Sequence, residues 1–189
     1  MTGVSDGMKL VFLSGSGTVS PVHDFKVLFE KLGGSYRIIV VEKFGYGESD
    51  QYEGSCDIDS LVSYLRQALM EAGEEGPYIL VPHSIAGLEA IRRQRQLWKR
   101  NAFNRCYMGE AEAVLANAET VEAGGVIDCP VLMFISNGKE VSTNWIRNAQ
   151  ESACQMKAET VLLDCGHYVH HYESESISRK ILEFISTLI

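Results

Sequence analysis

The sequence predicts an α/β fold, a mostly parallel central sheet with helices on both faces. Three observations carry this. Short apolar, β-branched runs alternate with longer stretches whose apolar residues recur at helical spacing. Most of those runs end in glycine- or serine-containing loops, the punctuation of strands that stop at a sheet edge. Finally, Ile79-Leu80-Val81 passes through Pro82, His83 and Ser84 directly into Ile85-Ala86-Gly87-Leu88-Glu89-Ala90, a strand, a tight turn and a helix.

The elements follow in order. Leu10-Val11-Phe12-Leu13 reads as a buried strand that feeds the loop Ser14-Gly15-Ser16-Gly17-Thr18. Residues 21–32 read as one helix, with Pro21 in its first turn, Val22, Phe25, Leu28 and Leu32 on one face, and Gly33-Gly34 as the stop. His23, in that helix, reads as a surface or capping residue. Residues 36–42 form the second strand, apolar and β-branched enough for a sheet centre, and run into a sharp turn with Gly45 and Gly47. Asp57 is placed to cap a helix whose face is Ile58, Leu61, Val62, Leu65 and Leu69, ending at Gly73. The Ile79 strand and the Ser84 helix come next, the latter continuing into Arg92-Arg93-Gln94-Arg95-Gln96-Leu97-Trp98-Lys99-Arg100, which reads as a solvated basic face. Phe103, Tyr107, Ala111, Val114, Ala118 and Val121 mark a further helix closed by Gly124-Gly125, so residues 84–122 hold two helices and no strand. Residues 130–135 and 160–164 are the fourth and fifth strands, with a helix over 143–153 between them and a last helix carrying Ile177, Ile181, Leu182, Phe184, Ile185 and Ile189. The whole chain, 1–189, reads as a single domain.

Composition narrows the class. The net charge is −8, which disfavours a general nucleic-acid partner, and no apolar run reaches the length needed to span a bilayer. The N-terminal residues carry no signal-peptide pattern. The five cysteines (Cys56, Cys106, Cys129, Cys154, Cys165) show no Cys-x-x-Cys spacing and read as free thiols, mostly buried, in a reducing compartment. Together these point to the cytoplasm.

A serine between a parallel strand and a helix can be held with its hydroxyl above the strand's carboxyl end, where the helix N-terminus offers N–H groups to an anion. Ser84 stands at such a place, with Pro82 and Ala86 as its small neighbours and Gly87 one place later. The glycines at 15 and 17 have two readings: an ordinary turn, or a loop whose backbone N–H near Ser16 faces a developing negative charge. A phosphate loop is excluded, since no Gly-Lys-Ser/Thr follows.

Four motifs in order give the chain its resemblance to the α/β-hydrolase superfamily, in its small serine esterase and peptidase-like branch. They are Phe12-Leu13-Ser14-Gly15-Ser16-Gly17, similar to the oxyanion loop with Ser14 in place of the usual His; Glu42-Lys43-Phe44-Gly45-Tyr46-Gly47-Glu48-Ser49, similar to an Asp-x-x-Gly-x-Gly-x-Ser turn; Pro82-His83-Ser84-Ile85-Ala86-Gly87, similar to the nucleophile elbow; and Gly166-His167-Tyr168-Val169-His170-His171, similar to the loop of the catalytic histidine. The resemblance covers residues 9–189. It implies a core lacking the family's first strands, its strand after the elbow helix and most of its cap, with residues 92–124 as a helical remnant of that cap. A natural minimal form, a fragment or a deletion would each read this way.

The resemblance implies a serine hydrolase that cleaves an ester or related acyl bond. Ser84 is the expected nucleophile and His167 the expected base. Adjacent side chains on a turn point apart, which removes His83, and the resemblance favours His167 over His170 and His171. The acid is expected in the loop after the fourth strand, where Glu140 is the one carboxylate; a solvated charge beside Lys139 is its other reading. Asp164 is expected to lie within the fifth strand. The oxyanion donors are expected to be the N–H groups of Ile85 and of Ser16 or its neighbour. No cofactor or metal is expected: His170-His171 with Glu173 lack a second ligand cluster, and Cys165 reads as a structural thiol. The partner is a small acyl substrate, with no nucleic acid and no membrane span; a second copy could cover the edges of a shortened sheet as a homodimer. An alternative from another class stays open, a catalytically inactive binding or interaction module on the same fold.

Overall fold

A computed structural model describes residues 2–3, 7–15, 17–83, 105–125 and 128–188. The fold is mixed α/β with a mostly parallel sheet. The chain divides into two compact units, Met1–Ala123 and Gly124–Ile189.

The first unit is built on β2 (Lys9–Leu13). It pairs in parallel with β3 (Arg37–Val41) on one side and with β4 (Tyr78–Pro82) on the other. Leu10, Val11 and Phe12 are fully buried, which explains the unbroken apolar run where a half-exposed strand would alternate. A short strand β1 (Thr2–Gly3), not foreseen in the sequence, joins the far edge of β3 antiparallel, so the order is β1-β3-β2-β4. Two residues at such an edge leave too little periodic pattern to read.

Period-two alternation assigns the two faces of β2. Val11 packs with Ile39 and Leu69, joined by Leu13, Val41, Leu65 and Tyr78, so α3 (Ile58–Glu71) covers that face. Asp57 caps α3 as the sequence indicates, its carboxylate accepting the Ser60 N–H at 2.9 Å. Phe12 points the other way, its ring 5.1 Å from that of Phe25.

The single helix expected over 21–32 is two, α1 (Pro21–Asp24) and α2 (Lys26–Leu32). They break at Phe25, whose backbone sits at φ −88° and ψ 0°. The bend keeps Phe25 in the core at 1% exposure and leaves Val22 39% exposed, while Asp24 is buried in its place. The break takes Val22 off the buried face that the spacing predicts, while Phe25, Leu28 and Leu32 stay on it. The helix expected around 103–122 is α4 (Arg105–Ala123). Its Gly109 lets it approach the chain closely, since a Cβ there would lie 3.2 Å from the Cys56 sulfur. Asn117 on the same helix accepts the Ile58 N–H at 2.9 Å, a second cap for α3.

The second unit holds β5 (Leu132–Ser136) and β6 (Glu159–Leu163), parallel and in register from Leu132 opposite Glu159 to Ser136 opposite Leu163. Between them runs α5 (Trp145–Gln155), which lies against both strands. A short α6 (Val169–Tyr172) leads into α7 (Ser174–Ser186), whose Ile177, Ile181 and Ile185 form the buried stripe. The cysteines are free, but Cys129 and Cys154 are exposed, which corrects the expectation that most are buried. Among the described residues no helix is long and apolar enough to cross a membrane.

One buried anion ties the start of the sheet together. Glu74, 3% exposed, accepts from the Arg37 Nε at 2.9 and 3.0 Å and pairs with Lys9 Nζ at 3.0 Å, so the first residues of β2 and β3 share one carboxylate. The Arg37 hydrogen bonds, against the opposing effect of burial and with help from Lys9, hold its pKa down at about 2. A depressed carboxylate contributes stability that is complete above the ordinary value near 4.5 and is lost as pH falls toward about 2. Glu74→Gln should therefore lower stability at pH 7 by on the order of 2–3 kcal/mol. Urea melts at pH 7 and pH 3 should show the variant's deficit shrinking in acid; an equal deficit at both would remove Glu74 from this role.

Candidate active site

Strand order reverses at β2, with β3 on one side and β4 on the other. In open α/β sheets ligands bind outside the carboxyl ends of strands at such a switch point. Here the carboxyl ends of β2 and β4 leave together: Leu13 lies opposite Pro82, and the His83 N–H donates to the Leu13 carbonyl at 2.9 Å. The glycine loop after β2 and the chain entering Ser84 thus start side by side. His83 also meets the edge of Phe25, with ring centroids 6.3 Å apart. Ser84, Ile85 and Ser16 themselves lie outside the described residues.

The glycine loop is tightly held. Ser14, Thr18, Val19 and Ser20 are buried, and Gly17 adopts φ +83°, open to glycine at little cost. The Ser14 hydroxyl is buried with no hydrogen-bond partner among the described residues. His23 is half-buried, and its Nδ1 lies 2.7 Å from the hydroxyl of Ser20, the N-cap residue of α1, whose side chain makes no cap bond to the backbone.

The turn over 42–50 is anchored by the Glu42 side chain, whose Oε2 accepts the Glu48 N–H at 3.0 Å, and by the Glu42 carbonyl, which accepts the Ser49 hydroxyl at 2.8 Å. Gly47, at φ +55°, is required twice over, by that angle and because a Cβ would strike the Glu42 carboxylate. The turn grips the glycine loop through the Gly47 N–H, which donates to the Val19 carbonyl at 2.9 Å. Tyr46, 2% exposed, points inward between its two glycines. Its hydroxyl accepts the Gly17 N–H at 3.1 Å and donates to Glu110 Oε2 at 3.0 Å. Lys43 donates to both Glu110 oxygens, at 2.8 and 2.9 Å, with its ammonium 4.4 Å from the Tyr46 ring centre. Glu110 went unnoticed in the sequence, because a single carboxylate inside a helical pattern carries no signal of its own, although Cys106 and Val114, one turn away on either side, are apolar.

In the second unit the loops after β5 and β6 lie together. The Asn137 N–H donates to the Cys165 carbonyl at 3.2 Å, and its side-chain amide donates to Asp164 at 2.9 Å. Asp164 follows the end of β6 rather than lying within it, as the sequence suggested, and its carboxyl is exposed. The Asn137 amide first, and then Lys139, lower its pKa. Glu140 and His167 are neighbours: Glu140 Oε1 accepts the backbone N–H of His167 at 3.3 Å. Gly166 makes room for this, since a Cβ there would strike Glu140 Oε1 and approach the Tyr172 ring. His167 is 9% exposed and meets Trp145 edge-on at 5.0 Å. His170 is buried and His171 exposed, their rings 4.6 Å apart. Burial pushes the Cys165 thiol up, and Glu173, Asp164 and Glu140 add to the shift, which suits a structural thiol and not a thiolate nucleophile.

No protein-family model matches the sequence. Over 81 residues the chain is 44% identical to the uncharacterized protein YbdG of Bacillus subtilis (strain 168), a stretch that makes up 43% of this chain and 25% of YbdG. The matched stretch thus spans a quarter of that relative's length. Solved structures match far more widely. MenH from S. aureus aligns over 99% of this chain and 97% of its own, with 15% identity and a TM-score of 0.69. A serine hydrolase involved in carbazole degradation (CarC enzyme) aligns over 98% and 93%, with 14% identity and a TM-score of 0.70. The haloalkane dehalogenase DbeA from Bradyrhizobium elkani USDA94 aligns over 98% and 92%, with 16% identity and a TM-score of 0.72. At such identities the likeness concerns the path of the backbone, and that path is decisive: the chain has the α/β-hydrolase fold.

Proposed function

We propose that the chain is a carboxylesterase-like serine hydrolase, cleaving an ester or related acyl bond through an acyl-enzyme on Ser84. The observation that carries this reading is the pairing of β2 with β4, sealed by the His83 N–H on the Leu13 carbonyl. It brings the residue before Ser84 to the carboxyl edge of the sheet, next to the glycine loop. The serine hydrolase among the fold's solved structures lends support.

In this reading the Ser84 hydroxyl attacks the acyl carbonyl while His167 takes its proton. The N–H groups of Ile85 and of Ser16 receive the charge that develops on the carbonyl oxygen. The tetrahedral adduct collapses, the alcohol leaves with the proton from His167, and water then attacks the acyl-enzyme with His167 again as base. Glu140 is the acid that orients the histidine loop. Its contact with the His167 backbone N–H supports a role in fixing that loop's position.

Short-chain p-nitrophenyl esters and a fluorophosphonate probe test the reading. Wild type should turn over and label, while folded Ser84→Ala and His167→Ala should each lose at least about 10³-fold in kcat. A folded wild type that neither turns over nor labels would leave an inactive binding module as the function of the fold.

Gly166→Ala tests Glu140 separately. The added methyl must push the Glu140 carboxylate aside, a small displacement of a flexible side chain, so folding should be retained. If Glu140 is the acid, Gly166→Ala and Glu140→Gln should lower kcat together, by about 10-fold or more. Wild-type kcat in both would assign the acid elsewhere.

A further inference from the structure

We infer that Tyr46 and Glu110 are positioning residues for the glycine loop, holding it in the geometry that oxyanion binding needs. The inference rests on the serine-hydrolase reading above, which gives that loop its task. An oxyanion donor is effective only when it is aimed in advance; a loop free to swivel loses that advantage at the moment charge develops.

The Gly17 N–H is already committed to the Tyr46 hydroxyl at 3.1 Å. It is therefore not an oxyanion donor, and the role falls to an N–H earlier in the loop. Holding that N–H also holds the rigid peptide plane to which it belongs. The hydroxyl is itself held. It donates to Glu110 at 3.0 Å, and donation to a carboxylate strengthens the same oxygen as an acceptor for Gly17. Glu110 in turn is clamped through both oxygens by Lys43.

The chain of contacts runs from α4 through one buried side chain to the backbone of the loop. A second tie, the Gly47 N–H on the Val19 carbonyl, fixes the loop's far end. Positive φ at Gly45 (77°) and Gly47 (55°) accompanies the inward turn of Tyr46 between them. A buried tyrosine hydroxyl needs a partner in any case, and its choice of partner is what carries information. Tyr46 places its hydroxyl between a loop N–H and a buried carboxylate.

Tyr46→Phe keeps the ring and removes the acceptor. Measured on p-nitrophenyl acetate, it should lower kcat by about tenfold and leave KM within about twofold, because the loss falls on the transition state. Hydrogen exchange of peptides spanning residues 10–20 should become faster in the same variant, while its CD spectrum stays that of wild type. Should Tyr46→Phe fail to fold, Glu110→Gln, which can still accept from the hydroxyl, stands in. It should retain most of kcat where Glu110→Ala loses about as much as Tyr46→Phe is expected to lose. A Tyr46→Phe enzyme, or failing that a Glu110→Ala enzyme, with wild-type kcat would overturn the positioning role and leave the hydrolase reading intact. A wild type inert to both ester and fluorophosphonate would overturn the hydrolase reading, and the positioning role with it.

Discussion

The pairing of β2 on both its edges is the constraint on which the first unit depends. A strand with neighbours on either side and helices on either face has no solvent-facing residue between Leu10 and Phe12. Its backbone polar groups are satisfied only if both partners are in register. That register then dictates where the chain leaves the sheet. A slip of one residue would turn Val11 and Phe12 to the wrong faces and move the glycine loop away from the end of β4. Packing and site geometry are consequences of the same hydrogen-bond ladder.

Polar anchors divide the work with this apolar core. At the amino end of the strands, Glu74 gathers Lys9 and Arg37. At the carboxyl end, Glu110 gathers Lys43 and Tyr46. Each is a buried carboxylate matched to a cation, as a buried charge must be. The two differ in consequence. The first joins strand to strand and concerns stability. The second reaches the backbone of the glycine loop.

Much of this was legible in the chain. Apolar runs marked β2, β3, β4, β5 and β6 to within a residue or two, because a β-branched, apolar run bounded by turn residues marks a strand whether it is buried, as β2 is, or partly exposed, as β4 and β6 are. Asp57 announced itself as a cap. What escaped has a common cause. The break at Phe25 left no trace in the spacing, since Phe25 itself stays on the buried face that the periodicity assigns to it. Glu110 was hidden because burial of a carboxylate depends on Lys43 and Tyr46, more than sixty residues away along the chain. Long-range polar pairing has no periodicity, and pattern reading is blind to it. Glu140 was found by position alone; that it meets the backbone of His167 is a matter of side-chain reach that no spacing encodes.

The Glu42–Gly47 contact reaches into how such a chain can vary. Because the carboxylate of residue 42 occupies the volume that a side chain at 47 would need, the two positions do not drift independently. Shortening residue 42 would free space but leave the Glu48 N–H without its acceptor and residue 47 still at a left-handed angle. Enlarging residue 47 first meets a wall. Neutral paths through this turn are therefore narrow. A library that randomised it residue by residue would recover few folded members, whereas one that varied 42, 47 and 48 jointly would sample the combinations that the geometry permits.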